Sequence, residues 1–182
     1  NKKSILTAGT LALAISTASS GVYSAELEEI IVTAQKRAES LQDVPISMSA
    51  LSGSTVKDNG IHSFQDLSGY VPNLSIQENA VNSIITMRGI GIGSNQSFEQ
   101  SVGIYVDGVH FGKSRQVRTG LFDIEQLEVL RGPQGILFGK NTLAGAINVT
   151  TASADVGDDT SGRLDVTQES FNSQIVDAHI QG

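Results

Sequence analysis

Between residues 45 and 151 the chain never holds one backbone period for long. β-prone runs of four to seven residues are each cut off by a turn, and the helical patterns between them are equally short. No stretch supplies the ~30 residues of a strand–helix–strand unit, so a doubly wound parallel sheet is not the best reading. What the pattern predicts is an α+β domain, a small mixed β-sheet with short helices. The strand candidates are Ile46 to Leu51, Ser83 to Met87, Val102 to Val106, Leu127 to Leu130 and Ala144 to Thr150. Glycines close several of them: Gly89-Ile90-Gly91-Ile92-Gly93, the Val106-Asp107-Gly108-Val109 turn signal, and Arg131-Gly132-Pro133. A helix from Ser52 to Asn59 would stop at Gly60. A second is expected from Ile61, Phe64, Leu67 and Val71 at helical spacing, with Ser63 and Asp66 resembling a capping box and Pro72 ending it.

The two ends of the chain follow other rules. Lys2 and Lys3 precede an uncharged stretch whose apolar centre is Leu11 to Ile15, followed by small residues from Ser16 to Gly21. A positive end, a short apolar run and a small-residue exit make a secretory signal peptide over residues 1–24. The run is too short for a transmembrane helix of about 20 apolar residues. Cleavage after Ser20, Ser24 or Ala25 fits. The chain opens on Asn1 rather than Met, so further residues are expected to precede it.

Residues 152–162 form a polar linker, and strict alternation follows. Leu164 and Val166, then Val176, Ala178 and Ile180, are apolar on even positions, while Arg163, Asp165, Thr167, Asp177, His179 and Gln181 are polar on odd ones. A two-residue hairpin loop would switch parity between strands. Shared parity favours one long strand, or a hairpin with an odd loop around Asn172. Such alternation is what a transmembrane barrel strand shows, though period alone slightly favours a two-faced soluble sheet.

Residues 25–40 are polar and extended in character. Within them the β-branched run Ile30 to Thr33 prefers strand geometry, and nothing turn-like follows closely enough to make a hairpin. It is either a strand offered to a partner's sheet edge or an edge strand of this protein's own fold.

Composition removes several functions. With no cysteine, a disulfide framework, a thiolate metal site and a cysteine nucleophile are excluded. Three scattered histidines, His62, His110 and His179, do not build a metal site. The formal net charge is −7, and it becomes −9 without the first 24 residues; an acidic chain argues against non-specific nucleic-acid binding. Gly89 to Gly93 has the wrong spacing for a dinucleotide fingerprint. Gln134 to Asn141 misses a phosphate loop at both ends, lacking the first Gly and the Ser or Thr after Lys140. Asp107, Asp123, Glu125 and Glu128 read as turn and strand-face charges, and no nucleophile–base set converges. No enzyme, cofactor or metal is expected.

The ordered motifs resemble a TonB-dependent outer-membrane receptor. Glu28-Glu29-Ile30-Ile31-Val32-Thr33-Ala34, followed by Gln35-Lys36-Arg37, looks like its TonB box. Leu41-Gln42-Asp43-Val44-Pro45-Ile46-Ser47 looks like the start of its plug domain. Met87-Arg88-Gly89-Ile90-Gly91 and Val102 to Val109 match in order. The long motif from Ile124 to Thr142, running on through Ala144 to Val149, is the most specific.

The resemblance implies a plug over residues 41–151 lodged in a β-barrel, with residues 152–182 as linker and first barrel strand or strands and the remaining barrel missing. It implies uptake of a scarce nutrient, most often a ferric siderophore or other metal chelate. The cell outer membrane of a Gram-negative bacterium would hold the barrel in its lipid. The TonB box would hang into the periplasm and add as a strand to the energy-transducing protein TonB. Arg88 and Arg131 match the plug arginines that face acidic residues on the barrel wall, the alternative being that each caps local carbonyls. Ser94, Asn95, Gln96, Ser97 and Glu99 fall in a plug loop facing ligand. A barrel needs several hundred more residues, so the chain is expected to be an N-terminal fragment; a stand-alone periplasmic binding module is the alternative.

Overall fold

A computed structural model describes residues 30–33, 37–80, 82–92, 99–153, 160–168 and 174–181. The expected signal peptide, Glu28, Glu29, Ala34 and the loop residues Ser94 to Ser97 lie outside these.

Twelve strands and two short α-helices are described. The strands are β1 (Ile31–Val32), β2 (Glu39–Ser40), β3 (Met48–Ser52), β4 (Leu74–Glu78), β5 (Ser83–Met87), β6 (Ile90–Gly91), β7 (Val102–Val106), β8 (Val109–His110), β9 (Ile124–Arg131), β10 (Gly145–Thr151), β11 (Ser161–Gln168) and β12 (Gln174–Gln181). The helices are α1 (Gly53–Asp58) and α2 (Gly135–Phe138), with 3₁₀ turns at Asp66–Gly69 and Ser114–Arg118.

The central sheet has the order β3-β9-β10-β7-β8. It is mixed: β10 runs parallel to β7 but antiparallel to β9, and β3 is antiparallel to β9. This is the small mixed sheet with short helices that the sequence leads one to expect. Alternation along β9 splits its residues between two faces. Leu127 and Val129 join Ile147, Val149, Val102 and Ile104 in the main core, which β4, β5, Val56 of α1 and the segment carrying Phe64, Leu67 and Val71 complete. Leu130 and Ala146 instead pack with Tyr105, Met48 and Phe138 on the second face. A sheet covered on both sides explains why β9 does not show a clean apolar–polar alternation.

Two turns are set by backbone chemistry. Asp107 and Gly108, at φ +49° and +77°, join β7 to β8 in the two-residue geometry that right-twisted strands prefer. The Asp107 carboxylate also accepts from Thr151 N (2.9 Å) and Thr151 Oγ1 (2.8 Å), tying the turn to the end of β10. Asp107 is thus the turn charge that the sequence indicates.

One expected helix is not formed. The run from Ile61 to Val71 places its four apolar residues in the core, but as a loop with one 3₁₀ turn. Asp66 accepts from His62 N (3.0 Å), Ser63 N (2.8 Å) and Ser63 Oγ (2.8 Å), and Ser68 Oγ accepts from Ile76 N (2.8 Å). Side chains thus take backbone bonds at both ends of the turn, one of them from β4, and a long helix loses out.

The segment expected to lack a hairpin partner has one. β1 pairs antiparallel with β2, Ile31 opposite Ser40 and Val32 opposite Glu39. The chain between them is longer than a standard turn, which is why turn chemistry gave no sign of it.

β11 and β12 form a hairpin whose strands end at Gln168 and resume at Gln174, the odd loop that shared parity requires. Leu164, Val166, Val176 and Ile180 lie 60–80% exposed along one stripe. On the other face Asp165 lies opposite Asp177 in register. The Asp165 carboxylate is met by Lys57 Nζ and Arg163 Nε, each at 2.8 Å. Among the described residues no helix is long and apolar enough to cross a membrane, which leaves crossing by strands open.

Gly145 is a point of closest approach. A Cβ there would stand 2.3 Å from both Leu130 O and Met87 Sδ. Gly145→Ala should destabilise the domain by about 1–3 kcal/mol, read as a lower urea midpoint. Gly135→Ala, where a Cβ would meet nothing within 4 Å, should not.

Candidate functional site

The candidate residues singled out from the sequence gather near two places along β9. At its C-terminal end, Arg131 pairs with Gly145 of β10, and Gly145 pairs with Val102 of β7. The segments that enter and leave these strands are therefore gathered at one end of the sheet. Backbone bonds stitch them together: Gly132 N to Ala144 O (2.8 Å), Gln134 N to Thr142 O (2.9 Å) and Ala144 N to Ser101 O (2.9 Å).

Arg88 reaches the same end from the second sheet. It forms the β5–β6 turn with Gly89, both at positive φ (+51° and +77°). An arginine in the left-handed region costs of the order of 1 kcal/mol, so the neighbours must hold it there. Arg88 N donates to Asn73 O at 2.8 Å, and its Nη1 lies 3.6 Å from where a Cβ on Gly132 would sit. The side chain itself is exposed.

Arg131 is half-buried. Its Nη2 donates to Met48 O (2.9 Å) and its amide to Ser47 O (2.9 Å), so part of the guanidinium does cap a local carbonyl. Its Nε is buried with no hydrogen-bond partner among the described residues, as are Ser101 Oγ and Gln100 Oε1. The two expected arginines are thus brought to one end of the central sheet, where Arg131 Nε and, on the segment bonded to Ala144, Ser101 Oγ are short of partners.

Of the expected loop residues, Glu99 is described. Its carboxylate meets Lys140 Nζ at 2.8 Å, tying the two loops across the end of the sheet. The hydrogen bond and charge of Lys140 hold the Glu99 carboxyl below its ordinary value. A lowered acid stabilises the pair at pH above the ordinary carboxylate range, and that contribution is lost as pH falls through the native value. Solvent exposure keeps it small. Lys140→Ala should move the Glu99 carboxyl titration upward, followed by carboxyl NMR; an unmoved titration would mean the pair does not form.

The second place is the N-terminal half of β9. Here the described part of the expected partner-binding segment, Ile30 to Thr33, lies on the sheet's second face. Val32 is 1% exposed. Gln126 Nε2 donates to Ile31 O at 2.8 Å. Glu128 Oε1 accepts from Thr33 N at 2.5 Å and from Thr33 Oγ1 at 3.4 Å, while its Oε2 accepts from Asn148 Nδ2 at 3.0 Å. The segment is therefore docked, where the sequence suggested a free tail. Glu128 is not a strand-face charge either, being 1% exposed. Sequence reasoning missed Gln126 and Asn148. Only their two-residue offsets on paired strands hint at a shared face, and that needs the register. Among the described residues no group of three or more His, Asp or Glu could hold a metal ion.

A mixed-sheet domain with an arginine-bearing loop end and a docked N-terminal strap is the architecture of a receptor plug. Residues 40–146 match the family model of the TonB-dependent Receptor Plug Domain, and the chain belongs to that family. It is 32% identical over 129 residues to the pesticin receptor of Yersinia pestis, covering 69% of this chain and 19% of that protein. It is 27% identical over 132 residues to a vitamin B12 transporter of Vibrio vulnificus, covering 70% and 21%. The crystal structure of the ferric yersiniabactin uptake receptor of Yersinia pestis superposes with a TM-score of 0.57 at 33% identity, over 66% of this chain and 18% of that one. The chain spans about a fifth of the length of the curated relatives it matches.

Proposed function

We propose that this chain is the plug-bearing part of a TonB-dependent outer-membrane receptor for energy-coupled uptake of a scarce nutrient, a ferric siderophore first. The observation that carries this reading is the end of the sheet at Arg131. Buried polar atoms without partners are costly and rare. The unpartnered Arg131 Nε, with Ser101 Oγ on the segment bonded to Ala144 and Arg88 alongside Gly132, supports a surface that meets something outside the described residues. A barrel-wall carboxylate would satisfy Arg131 Nε and pair with Arg88, as guanidinium groups favour. The neighbouring loop, with Ser94, Asn95, Gln96, Ser97 and Glu99, would then face the ligand.

What the family resemblance implies elsewhere in the chain is compatible with this arrangement. The exposed apolar stripe of Leu164, Val166, Val176 and Ile180 suits contact with outer-membrane lipid as the first barrel strands. Glu28 to Ala34 is the segment that TonB binds by strand addition. A ferric chelate is favoured over other cargo because the pesticin receptor and the ferric yersiniabactin uptake receptor are among the relatives. The vitamin B12 transporter makes cobalamin the main competitor.

Thr33→Pro in the full-length receptor should abolish uptake and leave ligand binding intact, because proline removes the donor on the edge away from β2 that a partner strand would use. Uptake at the wild-type rate would sink the strand-addition role. Binding measured against a panel of ferric chelates and cobalamin identifies the cargo.

A further inference from the structure

We propose that the side chains of Gln126 and Glu128 act as a surrogate strand, keeping the outer edge of the Ile30–Thr33 segment closed to the β-strand of a partner protein. The proposal rests on the reading of that segment as TonB-binding and concerns how its availability is set.

In an extended chain, successive residues turn their N–H and C=O groups toward opposite edges. Ile30 O accepts from Leu41 N at 3.0 Å, so the even-numbered residues face the β2 side. Ile31 and Thr33 therefore face the other edge. There Gln126 supplies a donor to Ile31 O and Glu128 an acceptor for Thr33 N. One residue of a parallel neighbouring strand makes this same pair of bonds, to the carbonyl before and the amide after the residue it faces. Two side chains reproduce it around Val32. Both edges of β1 are then occupied, and no third strand can add.

Unpaired edges invite wrong partners, and covering them is a general defence. The cover here is selective because of its chemistry. Glu128 is buried on the second face beside Leu130 and Ala146, and none of the salt bridges among the described residues involves it. Its charge is supported by Thr33 and by Asn148, directly opposite it on β10. When the segment leaves, a buried carboxylate loses its backbone donor, which makes departure costly. Gln126 offers a weaker, neutral bond and is less buried. The partner this edge fits is a chain with an open strand edge that runs parallel to β1. Its residue opposite Val32 would donate to Ile31 O and accept from Thr33 N.

The test uses the full-length receptor carrying Val32→Cys, at a position 1% exposed in the docked segment, read by maleimide labelling rate and by affinity for the purified periplasmic domain of TonB. Gln126→Ala and Glu128→Ala should each speed labelling and tighten TonB binding in ligand-free receptor, by about tenfold. Glu128→Gln keeps one acceptor for Thr33 N but loses the charge, and should label and bind TonB between wild type and Glu128→Ala. Should Glu128→Ala fail to reach the membrane, Gln126→Ala decides. Unchanged labelling and affinity in a folded Gln126→Ala receptor overturn the proposal. Thr33→Pro separates the two readings, because it removes the one amide that faces the partner's edge. Loss of TonB binding in Thr33→Pro, with Gln126→Ala and Glu128→Ala at wild-type values, removes only the surrogate strand. Retained binding in Thr33→Pro removes the TonB-binding reading itself.

Discussion

The β9 ladder is the constraint on which the rest of the structure depends. This strand pairs with β10 on one side and β3 on the other, so it fixes the register of the central sheet. Its alternation also decides what lies on each face. Leu127 and Val129 are 0% exposed in the main core, and burying each apolar side chain is worth about 1.5–3 kcal/mol. A one-residue slip would put Glu128 into that core and Val129 against the N-terminal strap. The desolvation cost of an unpaired carboxylate forbids it. Register, core and strap docking are thus one decision, made by four consecutive residues from Leu127 to Leu130.

Much of this was legible in the sequence where local chemistry dominates. Ser83–Met87 and Val102–Val106 form strands with the bounds expected, because turn residues bracket both. Ser52 caps α1 through Thr55 N, and Gly60 at φ +63° follows its end, as a cap–stop pair should. β4 was not legible: Leu-Ser-Ile-Gln-Glu has little strand propensity, and pairing with β5 creates it. The helix expected over Ile61 to Val71 failed for the converse reason. Its spacing reports burial correctly, but burial at that spacing does not require helical hydrogen bonds when Asp66 offers others.

The site was legible by motif and not by physics. Arg88 and Arg131 stand 43 positions apart, and nothing in their local sequence says that Gly132 brings their neighbourhoods together. Glu128 misled because acidic residues are almost never fully buried unless paired. Its pairing depends on Thr33, 95 residues away, and on a register with Asn148 that only the folded sheet provides. Long-range polar partners leave no periodic trace.

The two candidate regions share β9 yet are about 10–17 Å apart, three to five residues at roughly 3.3 Å each. A strand paired on both edges does not bend to carry a signal across that distance, because packed interiors are stiff. The looser route is the chain itself. Arg131 holds Ser47 and Met48 through its amide and its guanidinium. From Met48 onward the chain is fixed in β3, but residues 41–47 lead back to β2, the antiparallel partner of β1. Apart from Val44, which is 8% exposed, that stretch has few buried anchors. Arg131 therefore sits where the paired strand β3 gives way to the segment that leads back to β2, and its two bonds fix that junction to the end of β9.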